Sequence, residues 1–169
     1  MDRALNEVKN QAKILLKLCK KDDAKALARM AKWHKKIQVT EAGLKLKHCQ
    51  FVLARELGFI DWQHLQKVLS GTLSKELSSL DLGTLFYPPA CFSFLNKWFT
   101  THQDAIGSLD ENHYLLPHKK QFFVVTKDYI DTLGITDMVL LSKINRDMFF
   151  SYPSNIWDEL TLQVLINRR

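Results

Sequence analysis

Leu53-Ala54-Arg55-Glu56-Leu57-Gly58-Phe59-Ile60-Asp61-Trp62-Gln63-His64-Leu65 is the stretch on which the reading of this chain turns. An apolar segment ends at a glycine, and an aspartate a few residues later opens the next. Gly58 stands where a helix ends in left-handed backbone. Asp61 stands where a side-chain oxygen can accept the first free N–H of a new helix. Two helices therefore meet across Gly58-Phe59-Ile60-Asp61, and the small Ala54 lets them approach closely. The pattern has the shape of a DNA-binding helix–turn–helix. It departs from that shape at one point, because the place expected to be apolar is His64, with Leu65 one residue later. Gln63, His64, Gln66 and Lys67 are the side chains this second helix, Trp62 to Ser70, offers to base edges or phosphates.

Working back from the corner, the helix that ends at Gly58 is expected to start after Thr40 as its cap. It is apolar nearly all round (Leu44, Leu46, Phe51, Val52, Leu53, Ala54, Leu57), so it should lie inside its neighbours. Ahead of it, Asp2 to about Lys20 has Leu5, Val8, Ala12, Leu15, Leu16 and Cys19 on one side and Lys9, Lys13, Lys17 and Lys20 on the other. Asp22 or Asp23 then caps a second helix, running to about Lys36. Leu27, Met30, Trp33 and Ile37 share its apolar face, and Lys25, Arg29, Lys32 and Lys36 the opposite one. Neither basic stripe has acids spaced to pair with it. Like charges at this spacing cost a few tenths of a kcal/mol per pair, roughly.

The run Leu-Ala-Arg-Glu-Leu-Gly-Phe, followed by Asp-Trp and Leu, resembles a short helical module of many uncharacterised bacterial proteins. A similar segment stands at the front of some ankyrin-repeat and glyoxalase-related proteins. The resemblance covers roughly residues 44–69 and implies a helical fold there. It implies no activity, and no catalytic residue is carried over from it.

Beyond Gly71 the character changes. Thr72 to Leu82 is rich in Ser and Leu, with a short helix expected at Ser74–Leu80, and the seam between two units falls here: 1–71 basic and helical, 72–84 connecting, 85–169 mixed. Leu85-Phe86-Tyr87 before Pro88-Pro89 reads as a strand end or turn. Phe92 to Phe99 fits helix or strand, and Thr101 to Glu111 a short helix. Tyr114-Leu115-Leu116-Pro117 and Gln121-Phe122-Phe123-Val124-Val125 read as strands, the proline marking an edge or a bulge. Thr126 caps a helix from Lys127 to Leu133 ended by Gly134. Met138-Val139-Leu140-Leu141 reads as a further strand, and Ser154 caps a last helix from Asn155 to about Asn167. The fold class is α+β: about four N-terminal helices with the helix–turn–helix-like corner, then a smaller strand-and-helix unit.

Bulk properties set the limits. In 169 residues, 46% hydrophobic and 25% charged residues describe a globular chain that can bury a core. No run approaches roughly 18 uninterrupted apolar residues, so no membrane partner is expected. The start, Met1-Asp2-Arg3-Ala4-Leu5-Asn6-Glu7, lacks the apolar core of an export signal. Cys19, Cys49 and Cys91 are odd in number and widely spaced, which fits buried thiols in a reducing cytoplasm. Residues 1–75 carry sixteen Lys or Arg against seven Asp or Glu, a balance of +9; residues 76–169 carry eight against eleven, −3. A basic half points to a polyanionic partner.

Signals of chemistry are sparse. No glycine-rich phosphate loop or nucleophile elbow is present. His48 and Cys49 are adjacent, and neighbours on a helix diverge too far to share an ion; His102, His113 and His118 lack ligand spacing, so no metal and no cofactor is expected. Cys91 reads as a core thiol beside Phe92 and Phe94 rather than a nucleophile. Asp128 and Asp131 read as solvated helix carboxylates. The leading expectation is a non-catalytic nucleic-acid-binding or regulatory protein, with Lys9, Lys13, Lys17, Lys25, Arg29, Lys32 and Lys36 on phosphates and Gln63, His64 and Lys67 at the corner. The alternative is a module that binds an acidic protein or a second copy of itself. Third is an enzyme using the aromatic rear half as a pocket, whose rings beside Lys119-Lys120 also have the composition for stacking single-stranded bases.

Overall fold

The computed structural model describes residues 2–37, 43–73 and 80–168. Four helices come first: α1 (Arg3–Cys19), α2 (Ala24–Ala31), α3 (Leu46–Glu56) and α4 (Trp62–Leu69). After a 3-10 turn at Pro89–Cys91 follow β1 (Lys97–Phe99), α5 (His102–Gly107), β2 (His113–His118), β3 (Gln121–Thr126), α6 (Lys127–Thr132), α7 (Met138–Lys143) and α8 (Asn155–Asn167). The fold is α+β. The expected Thr40 cap and the expected helix from Ser74 lie outside the described residues, apart from Leu80, which is buried in irregular backbone.

α1 buries Ala4, Leu5, Val8, Ala12, Leu15 and Cys19, the stripe its period dictates. Its own N-cap residue, Asp2, makes no side-chain cap bond. The cap comes from the far end of the chain. Asp158, on α8 and almost fully buried, accepts the backbone N–H of Arg3 at 3.0 Å and of Ala4 at 3.1 Å. Arg3 also pairs with Glu159, and the Gln11 side chain donates to the Leu165 carbonyl at 3.1 Å. Residues 4 and 11 thus meet residues 158 and 165, so α1 and α8 run parallel. α3 packs on α1 as well, and one connected set of buried apolar residues extends through both halves of the sequence.

Local chemistry sets most of the helix starts. Asp23 accepts from Ala26 N–H at 2.8 Å, Asp61 from His64 N–H at 2.7 Å, and Ser154 from Trp157 N–H at 3.1 Å. At α3 the imidazole of His48 reaches back and accepts the Lys45 N–H through Nδ1 at 3.0 Å. The corner between α3 and α4 closes on the rear half. Gly58 has φ +81°, and a Cβ there would stand 2.7 Å from the Thr84 backbone nitrogen, which donates to the Leu57 carbonyl at 2.8 Å. Only glycine fits that approach.

The sheet has the order β1-β3-β2 and is antiparallel throughout. Pro117 lies on β2, an edge strand, as a residue without an N–H requires. Trp98 stands opposite Phe123, and His118 opposite Gln121. These side chains share one sheet face with Leu116, while Phe122 and Leu115 point to the other.

Some expectations need correction. α3 begins at Leu46 rather than directly after Thr40, residues 43–45 being irregular, and α2 ends at Ala31, with turns rather than helix on to Lys36. Met138-Val139-Leu140-Leu141 is helical, not a strand: Asp137 accepts from Leu140 N–H at 3.0 Å, and the burial of Leu141 beside the exposure of Val139 is helical spacing. A four-residue apolar run does not itself distinguish the two states. Of the alternatives left open, Leu85-Phe86 takes the turn, and in the Phe92–Phe99 run Lys97–Phe99 is strand. Thr126 sits at the N-cap position of α6 but makes no side-chain cap bond.

Two outcomes follow. Asp158→Ala leaves one buried and one part-buried N–H group without an acceptor and should lower unfolding free energy by about 2–4 kcal/mol in urea titration. His48 titrates below its ordinary value of 6.5, chiefly through burial and then through Lys47 and Lys45. The folded state therefore holds it neutral where the unfolded chain would protonate it. His118 is lowered likewise, by burial and then Lys119, against Asp81. Stability from both is complete above 6.5 and is lost as pH falls below it. The urea midpoint should fall between pH 7.5 and 5.5, roughly, and His48→Gln, which keeps an acceptor at the third helical position, should fall less.

Candidate nucleic-acid interface

α1 is held on its inner sides by α8 and α3, which leaves its outer side to solvent. That side carries Lys13, Lys17 and Lys20, all exposed, with the half-buried Lys9 at its margin. Lys21, also exposed, follows in the turn that leads to Asp23. Lys13, Lys17, Lys20 and Lys21 gather round a groove of about 390 Å³ floored by Leu16 of α1 and Leu46 of α3. Among the described residues, none of these lysines has an ion-pair partner, and neither do Lys25 on α2 and Lys32 just past its end. The result is a concentrated positive field over an apolar floor. Ile14 and Leu18 lie exposed on the same helix.

The ten sequence-selected residues divide into groups. Lys13 and Lys17 line the groove; Lys9 on α1, Lys25 on α2 and Lys32 just past the end of α2 lie outside its lining and have no ion-pair partner among the described residues. Arg29 is committed elsewhere. Its guanidinium grips Glu56 of α3 through Nε at 3.1 Å and Nη2 at 2.6 Å, a two-point pair that also raises its pKa. Lys36 lies over the Trp33 ring, 5.9 Å from its centroid. At the corner, Gln63 and Lys67 are exposed, whereas His64 turns inward and sets its ring edge-on to Phe59 at 5.2 Å. The apolar position that the corner needs is filled by the fully buried Leu65. Lys20 and Lys21 were missed as site residues. The signal for them was the continuation of the α1 stripe into the turn.

All three cysteines are buried, and burial raises each thiol, Cys49 to about 11. Among the described residues no three His, Cys, Asp or Glu side chains gather where one ion could be held. Asp131 pairs with Lys127 at 2.7 Å. His102 is bonded to the buried Asp147 at 2.7 Å, and the other Asp147 oxygen accepts the N–H groups of Phe149 and Phe150. This long-range pair was invisible in the sequence, and it clips α5 to the loop after α7.

No protein-family model, curated protein or solved structure matches the chain.

The distinction between committed and uncommitted cations is measurable. Arg29→Glu sets two acids against each other and should lower the thermal midpoint. Lys17→Gln should leave it unchanged or raise it slightly, because relief of like-charge repulsion adds roughly a few tenths of a kcal/mol to stability.

Proposed function

We propose that this protein is a non-catalytic nucleic-acid-binding protein that grips the phosphate backbone with the outer face of α1 and its continuation. The observation that carries the reading is the groove in which Lys13, Lys17, Lys20 and Lys21 stand together without a carboxylate among the described residues. Lysines held close without counter-charge repel one another, and a bound polyanion relieves that repulsion while releasing its own counterions. Lys25 and Lys32 extend the basic surface along α2. Gln63 and Lys67 at the corner supply further polar contact. Arg29 and Lys36 are structural in this reading, through Glu56 and Trp33.

A second reading draws on the groove floor. Leu16 and Leu46 below suit an acidic amphipathic helix that inserts apolar side chains between the lysines. Phosphates do not need that apolar surface.

Anisotropy titration of labelled DNA and RNA at several salt concentrations separates the two. The nucleic-acid reading expects binding whose log K falls by about 0.7–0.9 per phosphate contacted per log unit of salt. Each of Lys13→Gln and Lys17→Gln should cut that slope by about one. Absence of binding at low salt, or a slope untouched by these variants, would sink it and leave the acidic-helix reading to be tested with a designed peptide.

A further inference from the structure

Aromatic side chains usually close a core, yet the rear half turns several outward, Phe150 after α7 and Trp98 with Phe92 near the sheet. Trp98 is 42% exposed and Phe92 60%. Neither is loose. The indole of Trp98 stacks on Phe123 with centroids 4.8 Å apart and planes 18° from parallel. Its remaining contacts come at ring edges, from Tyr87 at 5.3 Å and His118 at 5.3 Å. One face of the indole is thus taken, and the exposed surface includes the other. Phe92 leans on Tyr87 at 5.0 Å and 33°. Tyr87 therefore braces both of these rings. Next to His118, the turn between β2 and β3 carries Lys119 and Lys120, both exposed and without an ion pair among the described residues. Asp81 is the acid that acts on His118 from the opposite side of the balance.

A ring fixed in one orientation, with a free face, loses no side-chain freedom when a flat partner stacks on it. Bases of a single strand are such partners; paired bases in a duplex hide their faces in the stack. Lysines beside the rings match the phosphates that accompany those bases. We propose that Trp98 and Phe92 form a stacking platform for a single-stranded nucleic acid whose phosphates meet Lys119 and Lys120. The proposal rests on the reading of the protein as a nucleic-acid binder and specifies its substrate as single-stranded.

Anisotropy with labelled oligo-deoxythymidylate and with a duplex of mixed sequence tests it. Trp98→Leu keeps the apolar packing on Phe123 and removes the stacking face; Trp98→Phe keeps a ring. Phe92→Ser acts at an exposed position, where folding is not at stake. Trp98→Leu and Phe92→Ser should each weaken oligo-deoxythymidylate binding by about tenfold, with Trp98→Phe close to wild type and duplex affinity unmoved. If both variants bind the single strand as wild type does while Lys17→Gln weakens it, the platform is refuted and the lysine face stands. If Lys17→Gln has no effect while Trp98→Leu does, the platform stands and the lysine face falls. Failure of the wild type to bind any nucleic acid at low salt overturns both.

Discussion

The carboxylate of Asp158, buried between two helices, is what orders this molecule. A helix begins with backbone N–H groups that have no partner, and the first turn of α1 has no capping side chain of its own. Asp158 supplies two acceptors and a negative charge at the positive end of the α1 dipole. Because the two helices lie far apart in the chain, the first turn of α1 gains these acceptors only when α8 has docked. The parallel alignment then brings Gln11 to the Leu165 carbonyl and fixes which side of α1 faces in. The lysine stripe faces out as a consequence. It is the geometry of the core, rather than any contact between the lysines and the rest of the protein, that concentrates their charge.

The cations of this chain thus fall into two kinds. Arg3, Arg29 and Lys127 meet carboxylates, and Arg168 donates to the Thr84 and Leu85 carbonyls at 2.8 and 2.9 Å. The arginines among them do architectural work that suits a planar, many-donor head group. The lysines of α1 and α2 are instead compact charges on flexible stems with no acid to hold them. That division between guanidinium and ammonium explains why the net charge of the front half overstates, by its arginines, what is free to meet a partner.

Much of the fold was legible because its signals are local. Asp23, Asp61 and Ser154 cap as their positions imply, Gly58 turns the corner, and two short apolar runs on either side of Lys119-Lys120 form the hairpin of β2 and β3. What was not legible depends on residues far apart in sequence. Nothing near Arg29 announces Glu56, nothing near His102 announces Asp147, and nothing near Asp2 announces Asp158. Met138–Lys143 was misread because a short apolar run carries no period, and Asp137 as its cap decided the matter. At the site, the lysine stripe on α1 was readable from spacing. Its partner surface, Leu46 of α3, and the outward placement of Trp98 and Phe92 needed the tertiary structure.

The most direct test of the claim that the α1 face meets phosphate is a lysine-reactivity footprint. The protein is acetylated with and without a saturating single-stranded oligonucleotide, and each lysine is read by peptide mass spectrometry. The account predicts strong protection of Lys13, Lys17, Lys20 and Lys21, with Lys143 on the exposed side of α7 unchanged. Equal protection of Lys143 and the groove lysines, or none at the groove while the oligonucleotide is bound, would contradict it.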